Sequence, residues 1–170
     1  DLVRRVLDQV GFRESPFNIE LFYDDEDDHL WVLETNTRIS QSHSDLFHKV
    51  DGFSNHDVLV HLATGEEPEA MRREGEYGCA AKCQLRVFED GRITRVPYED
   101  DIARVRDELP GTIVVVQCRE GQRLSELRDQ DSYSYRMAVV YLGADDEDEL
   151  LRRWDRCREL MGFEVDGERV

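Results

Sequence analysis

The chain has 170 residues, with 39 acidic against 22 basic side chains and a formal net charge of -17. That imbalance repels polyanions and excludes nucleic acid and anionic membrane surfaces as natural partners, and no stretch approaches the roughly 20 apolar residues of a membrane helix. The length suffices for a real core, as one domain or as a part-domain with an attached subdomain, and with no signal peptide in view the expected location is cytoplasmic.

In chain order, Leu2, Val3, Val6, Leu7 and Val10 recur at helical spacing and stop at Gly11, which predicts an opening helix. Two apolar runs follow, Phe17 to Tyr23 and Leu30 to Leu33, around the acidic turn Asp24 to Asp28; this predicts an antiparallel hairpin. After a loop, Ser54 and Asp57 form a capping-box start to a helix carrying Val58, Leu59 and Leu62 up to Gly65. The first part, residues 1–68, ends near Pro68. In the second, residues 69–170, strands are predicted at Cys79 to Phe88, Ile93 to Val96, Thr112 to Cys118 and Tyr135 to Leu142, with Glu89 to Arg92 as a hairpin turn. A short helix is predicted from Asp100 to Leu109. A longer one runs from Glu147 to Met161, where early acidic residues suit the helix dipole, and ends at Gly162. The fold class is α+β, and its second part is a mixed, mainly antiparallel sheet with helices.

Cys79, Cys83, Cys118 and Cys157 contain no Cys-x-x-Cys pair, and Cys79 and Cys83 fall on one strand face as small core residues with reduced thiols. The five histidines make no His-x-x-x-His pair. Asp24 to Asp28 lacks the glycine and closing glutamate of a calcium loop, so it reads as a solvated turn.

The hairpin carries the chemistry. Pairing about Glu26 sets Glu20 opposite Val32 and Asn18 opposite Glu34. Because side chains alternate across a strand, Phe17, Ile19, Leu21, Tyr23, Trp31 and Leu33 then make an apolar face to seat on a core, and Glu20, Glu34 and Asn36 share the other. Oxygen ligands of this kind suit Mg²⁺ or Mn²⁺, which take one or two carboxylates together with substrate phosphates. Arg38 follows as a bidentate partner for a phosphate or carboxylate. Among the histidines only His43, beside this motif, is a functional candidate, and Arg38 and His43 form the candidate catalytic pair.

These residues support a family resemblance. The Glu20 strand, the hairpin, Glu34-Thr-Asn36-Thr-Arg38-Ile39, His43 and the helix ending Gly65-Glu-Glu-Pro68 resemble the end of the ATP-grasp domain in biotin carboxylases and related carboxylate-activating ligases. The likeness continues through Asp90-Gly-Arg-Ile-Thr-Arg95, Pro110-Gly111, Asp131-Ser132 and the last helix, and so spans nearly the whole chain. The resemblance implies that residues 1–68 are the C-terminal part of an ATP-grasp domain and residues 69–170 a subdomain like the C-terminal one of biotin carboxylase. It also implies that Glu20, Glu34 and Asn36 bind the metal ions bridging the ATP phosphates, and that Arg38 contacts the activated carboxylate or phosphate.

The departures from that pattern narrow the expectation. Biotin carboxylases read Arg-Ile-Gln-Val-Glu-His where this chain reads Arg38-Ile39-Ser40-Gln41-Ser42-His43, and Ser42 cannot serve as the family's glutamate base. The family's further arginine, after its Pro-Gly-Gly, has no clear counterpart in Pro110 to Gln117, although Arg119 lies nearby. Nothing matches the glycine-rich phosphate loop, the adenine segment or the ATP-contacting lysines expected earlier in such an enzyme. The expectation is therefore the C-terminal portion of an ATP-dependent ligase that activates a small carboxylate as an acyl phosphate and transfers it to an amine or similar nucleophile, inactive by itself. The alternatives are a non-catalytic acidic α+β interaction module and, within the enzyme class, a biotin carboxylase.

Overall fold

The helical spacing of Leu2, Val3, Val6 and Leu7 becomes α1 (Leu2–Gln9) in the computed structural model, which describes residues 2–68, 72–128 and 130–170. The chain divides into two compact units, Asp1–Glu74 and Gly75–Val170.

In the first unit the hairpin consists of β1 (Asn18–Asp24) and β2 (His29–Asn36). Its register differs from the expected one: Asn18 lies opposite Asn36, Glu20 opposite Glu34, and then, past a bulge, Leu21 opposite Val32 and Phe22 opposite Trp31. Leu33 is the extra residue. One added residue reverses the face parity beyond it, so Trp31 pairs with Phe22 and does not join the face of Leu21 and Tyr23. The expected apolar face is thus split, with Leu21 and Tyr23 opposite Val32 and Leu30 on one side and Phe22 opposite Trp31 on the other. Neither side is buried: Phe22, Tyr23, Trp31 and Leu33 are each more than half exposed.

The segment expected as a loop after the hairpin forms a 3₁₀ turn, Gln41–His43, and α2 (Ser44–Asp51), which closes on Gly52 in the left-handed region. Eight residues with modest periodicity give little signal in sequence. Next, α3 (Asn55–Thr64) starts with the expected capping box: the Ser54 hydroxyl accepts from the Asp57 amide, and the Asp57 carboxylate accepts from the Ser54 amide. Among the described residues of this unit Lys49 alone is buried, paired with Asp45 one turn earlier at 2.9 Å.

The second unit holds the core. Its strands are β3 (Cys79–Val87), β4 (Ile93–Arg95), β5 (Ile113–Val116), β6 (Tyr135–Ala144), β7 (Glu164–Val165) and β8 (Glu168–Arg169), and its helices are α4 (Glu99–Glu108) and α5 (Glu147–Met161). One antiparallel sheet has the order β3-β6-β5 and the other β4-β7-β8. The nearly unbroken apolar run from Met137 to Ala144 makes β6 the buried central strand, as such a run requires. Core residues Leu85, Met137, Val140 and Leu142 meet Val105 of α4, Cys157, Leu160 and Met161 of α5, and Phe163.

The expected hairpin between β3 and β4 does not form. Glu89 to Arg92 leads instead from one sheet to the other, because Asp90 is engaged elsewhere: its carboxylate accepts from the Ser125 amide at 3.0 Å and from Arg123 Nε at 2.8 Å. Arg92 donates its amide to Asp166 of the β7–β8 turn. That small terminal hairpin was not among the expected elements, although its Asp166-Gly167 loop, with both residues at positive φ, is a hairpin turn signal. Among the described residues no helix is long and apolar enough to cross a membrane.

Candidate functional site

The hairpin register determines the geometry of the candidate site. Directly opposed residues of an antiparallel pair project to the same face, with Cβ atoms about 5 Å apart. Asn18 and Glu20 are two residues apart, as are Glu34 and Asn36, so the pairs Asn18/Asn36 and Glu20/Glu34 make a two-by-two patch on one face. The patch contains the three residues selected from sequence and adds Asn18. The expected register also put Asn18 on this face, opposite Glu34, without counting it as a ligand; the observed register gives it Asn36 as its direct partner and sets the two glutamates against each other.

Along β1 the same face continues from Glu20 to Phe22, which lies opposite Trp31, so the polar patch borders an exposed apolar pair. Asn18 and Asn36 are half-buried at the base, and Glu20 and Glu34 are exposed beyond them. Neither glutamate has an ion pair among the described residues. Two opposed carboxylates with no cation between them repel, and a divalent ion would relieve that repulsion. Among the described residues no group of three His, Cys, Asp or Glu side chains is placed to hold a metal ion. The donor set here is instead two carboxylates completed by two amides, which suits Mg²⁺ or Mn²⁺ that takes its remaining oxygens from phosphate and water.

Arg38 is exposed and donates through Nη1 to the carbonyl of Ile39 at 3.3 Å. It makes no ion pair among the described residues, so its fork is available to an anion. The segment behind it is fixed: Asn55 Nδ2 donates to the Ser40 carbonyl at 2.9 Å, and the Ser44 hydroxyl donates to Asn55 Oδ1 at 2.5 Å. His43 is exposed at the start of α2, where its amide donates to the Ser40 carbonyl at 3.0 Å. The structure gives its ring no partner among the described residues. Beside the base of the patch, Phe17, Ile39, Phe47, Val58 and Leu62 line an apolar hollow of about 360 Å³ that also touches Asn18 and Ser40.

The thiols are structural. Burial pushes Cys118 up to about 11 and Cys157 up to about 12, far from the thiolate form that reaction or metal binding requires.

No protein-family model matches the chain, and no curated protein does. Solved structures do share its fold. The L-amino acid ligase from Bacillus licheniformis superposes with a TM-score of 0.66 at 16% identity over 98% of this chain and 40% of that one. A biotin carboxylase from Campylobacter jejuni, described as a β,γ-ATP complex, gives 0.61 at 13% identity over 96% and 34%. The ATPase subunit of phosphoribosylaminoimidazole carboxylase from Aquifex aeolicus gives 0.54 at 12% identity over 94% and 42%. The fold is that of ATP-grasp enzymes, as the resemblance implied. The chain spans between 34 and 42% of the length of these three proteins.

Proposed function

We propose that this chain is the C-terminal portion of a cytoplasmic, ATP-dependent ligase that activates a small carboxylate as an acyl phosphate and passes it to an amine or similar nucleophile. The observation that carries the reading is the register that sets Glu20 against Glu34 and Asn18 against Asn36, with Arg38 two residues beyond. In the intact enzyme Glu20, Glu34 and Asn36 would hold Mg²⁺ or Mn²⁺ against the ATP phosphates, and the ion would offset charge on the transferred phosphoryl group. Arg38 directs its fork at the acyl phosphate, where charge develops. His43 would contact substrate from the start of α2.

The first unit's surface supports the portion reading. Both faces of its hairpin carry large exposed apolar side chains, and among the described residues its one buried side chain is a lysine. Contiguous apolar surface of this kind is ordinarily covered, and this chain spans only 34% and 40% of the Campylobacter jejuni and Bacillus licheniformis proteins. Such a surface also suits the second reading, a non-catalytic interaction module. Biotin carboxylation fits poorly, because Ser42 cannot supply the roughly 10²- to 10⁴-fold that a positioned general base contributes.

Substrate-stimulated ATP cleavage by the intact enzyme tests the proposal. It should require Mg²⁺ and a carboxylic acid, and Arg38→Ala should lower acyl transfer roughly 10²- to 10³-fold with little change in ATP affinity. This chain alone should not turn over ATP. Cleavage driven by bicarbonate and free biotin would restore the carboxylase, and absence of metal-dependent ATP binding by the intact enzyme would favour the interaction module.

A further inference from the structure

In the second unit a hollow of about 630 Å³ opens where the chain leaves β5 and returns through a 3₁₀ turn, Leu124–Glu126, toward β6. Among the described residues Arg119, Arg128 and Arg136 line it against one carboxylate, that of Glu126. Glu126 is already engaged, accepting from the Arg123 amide. Three guanidinium groups around one concavity are notable in a chain with a net charge of -17, where acidic partners for any exposed arginine abound.

The arginines are held in place but not neutralised. Arg136 is half-buried and donates from Nε to Gln117 Oε1 at 2.6 Å, which fixes the plane of its fork and leaves both terminal nitrogens without a hydrogen bond among the described residues. The side chains of Arg119 and Arg128 have no hydrogen bond or ion pair among the described residues. The loop beneath them is pinned from several sides. Ile93 donates to the Gln122 carbonyl and Gly121 to that of Ile93, at 2.9 and 2.8 Å. The Tyr98 hydroxyl donates to Glu120, and Gln122 Oε1 accepts from the Arg119 amide at 2.7 Å.

A second arginine-lined hollow, of about 570 Å³, makes the contrast. There Arg95 is spent on Asp101 and the carbonyls ending α5, Arg156 on Glu108 and Glu159, and Arg169 on the Glu159 carbonyl, which leaves Arg104 alone of the four without a partner among the described residues.

We infer that the hollow between β5 and β6 is a binding site for a small, multiply charged oxyanion, a molecule carrying two or more carboxylate or phosphate groups. A preset fork and two unpaired guanidinium groups on a pinned loop match such a ligand bidentately with little reorganisation. One negative group docks on Arg136 and another reaches Arg119 or Arg128. The site lies within the second unit, so it stands or falls independently of metal binding at the hairpin.

Titration calorimetry on this chain, in metal-free buffer without ATP, tests the inference with citrate, pyrophosphate and acetate. Citrate or pyrophosphate should bind saturably at one site and acetate should not; whichever binds tighter assigns the ligand to the carboxylate or the phosphate class. Arg119→Ala and Arg136→Ala should each weaken binding about tenfold or more. Arg136→Lys should weaken it too, because charge without the fork is insufficient, and Arg104→Ala, in the other hollow, should change nothing. Should Arg136→Ala lose structure by circular dichroism, Arg119→Ala decides, since that side chain has no partner among the described residues to lose. No saturable binding of either polyanion, or equal losses in Arg104→Ala and Arg119→Ala, would overturn the assignment.

Discussion

Replacing Gly162 by alanine should be among the costlier single-methyl changes in this protein. Gly162 closes α5 at φ +56°, with its amide donating to the Arg158 carbonyl, and an alanine in that left-handed conformation costs about 1 kcal/mol. The new methyl carbon would also lie 2.5 Å from Nη1 of Arg95. A free arginine would swing aside. This one donates to the carbonyls of Met161 at 2.9 Å and Gly162, reaches Asp101 at 2.6 Å, and lies 5.4 Å from the Tyr98 ring centre. Hydrogen bonds to a charged group contribute roughly 1.5–3 kcal/mol each, but Arg95 is 27% exposed and water recovers part of any loss, so we assign about 1–2 kcal/mol to its displacement. The total is about 2–3 kcal/mol, or a fall in Tm of roughly 8–24 °C for a unit of this size. Calorimetric melting of wild type, Gly162→Ala, Arg95→Met and the double variant measures it. In the Arg95→Met background the glycine substitution should cost only about the 1 kcal/mol of backbone strain. An unchanged cost in that background would refute the proposed clash, and a cost below that strain in the wild type would refute the whole account.

Glu20 and Glu34 face each other without a cation, so Glu34→Gln should slow hydrogen exchange of the β1–β2 amides in metal-free buffer and abolish any protection that Mn²⁺ gives the wild type; faster exchange would contradict the opposed-carboxylate geometry. The Asp131 carboxyl is held down to about 2 by the Tyr133 amide, the Ser134 hydroxyl and amide, and Arg86. Its stabilisation is therefore complete above the ordinary value of 3.8 and is lost as pH falls through about 2. Urea midpoints of Asp131→Asn should vary less between those limits than those of wild type, and parallel profiles would count against it. At neutral pH a thiol reagent should leave Cys118 and Cys157 unmodified until the second unit unfolds, since burial keeps both protonated; rapid native-state labelling of Cys157, read by mass spectrometry, would refute their burial.

Local chemistry made several elements legible in the sequence alone. The Ser54–Asp57 capping box, the glycine stops at Gly65 and Gly162, and the acidic first turn of α5 act within a few residues, so α3 and α5 begin and end where those signals place them. The unbroken apolar run after Tyr135 likewise marked the strand that became the centre of its sheet. The tertiary structure decided what depends on partners distant in the chain. The bulge at Leu33 set Glu34 opposite Glu20 and Asn36 opposite Asn18, and moved Trp31 off its expected face. Asp90 looked like a turn residue, but its partners are Arg123 and Ser125, more than thirty residues away, and they carry β4 out of the expected hairpin. β4 finds its partner in β7, far along the chain, and the hollow of Arg119, Arg128 and Arg136 is shaped by a loop after β5 that folds back against Ile93. Alternation and capping are fixed by neighbouring residues; register, strand partners and the convergence of like charges are fixed by contacts that the linear pattern does not encode.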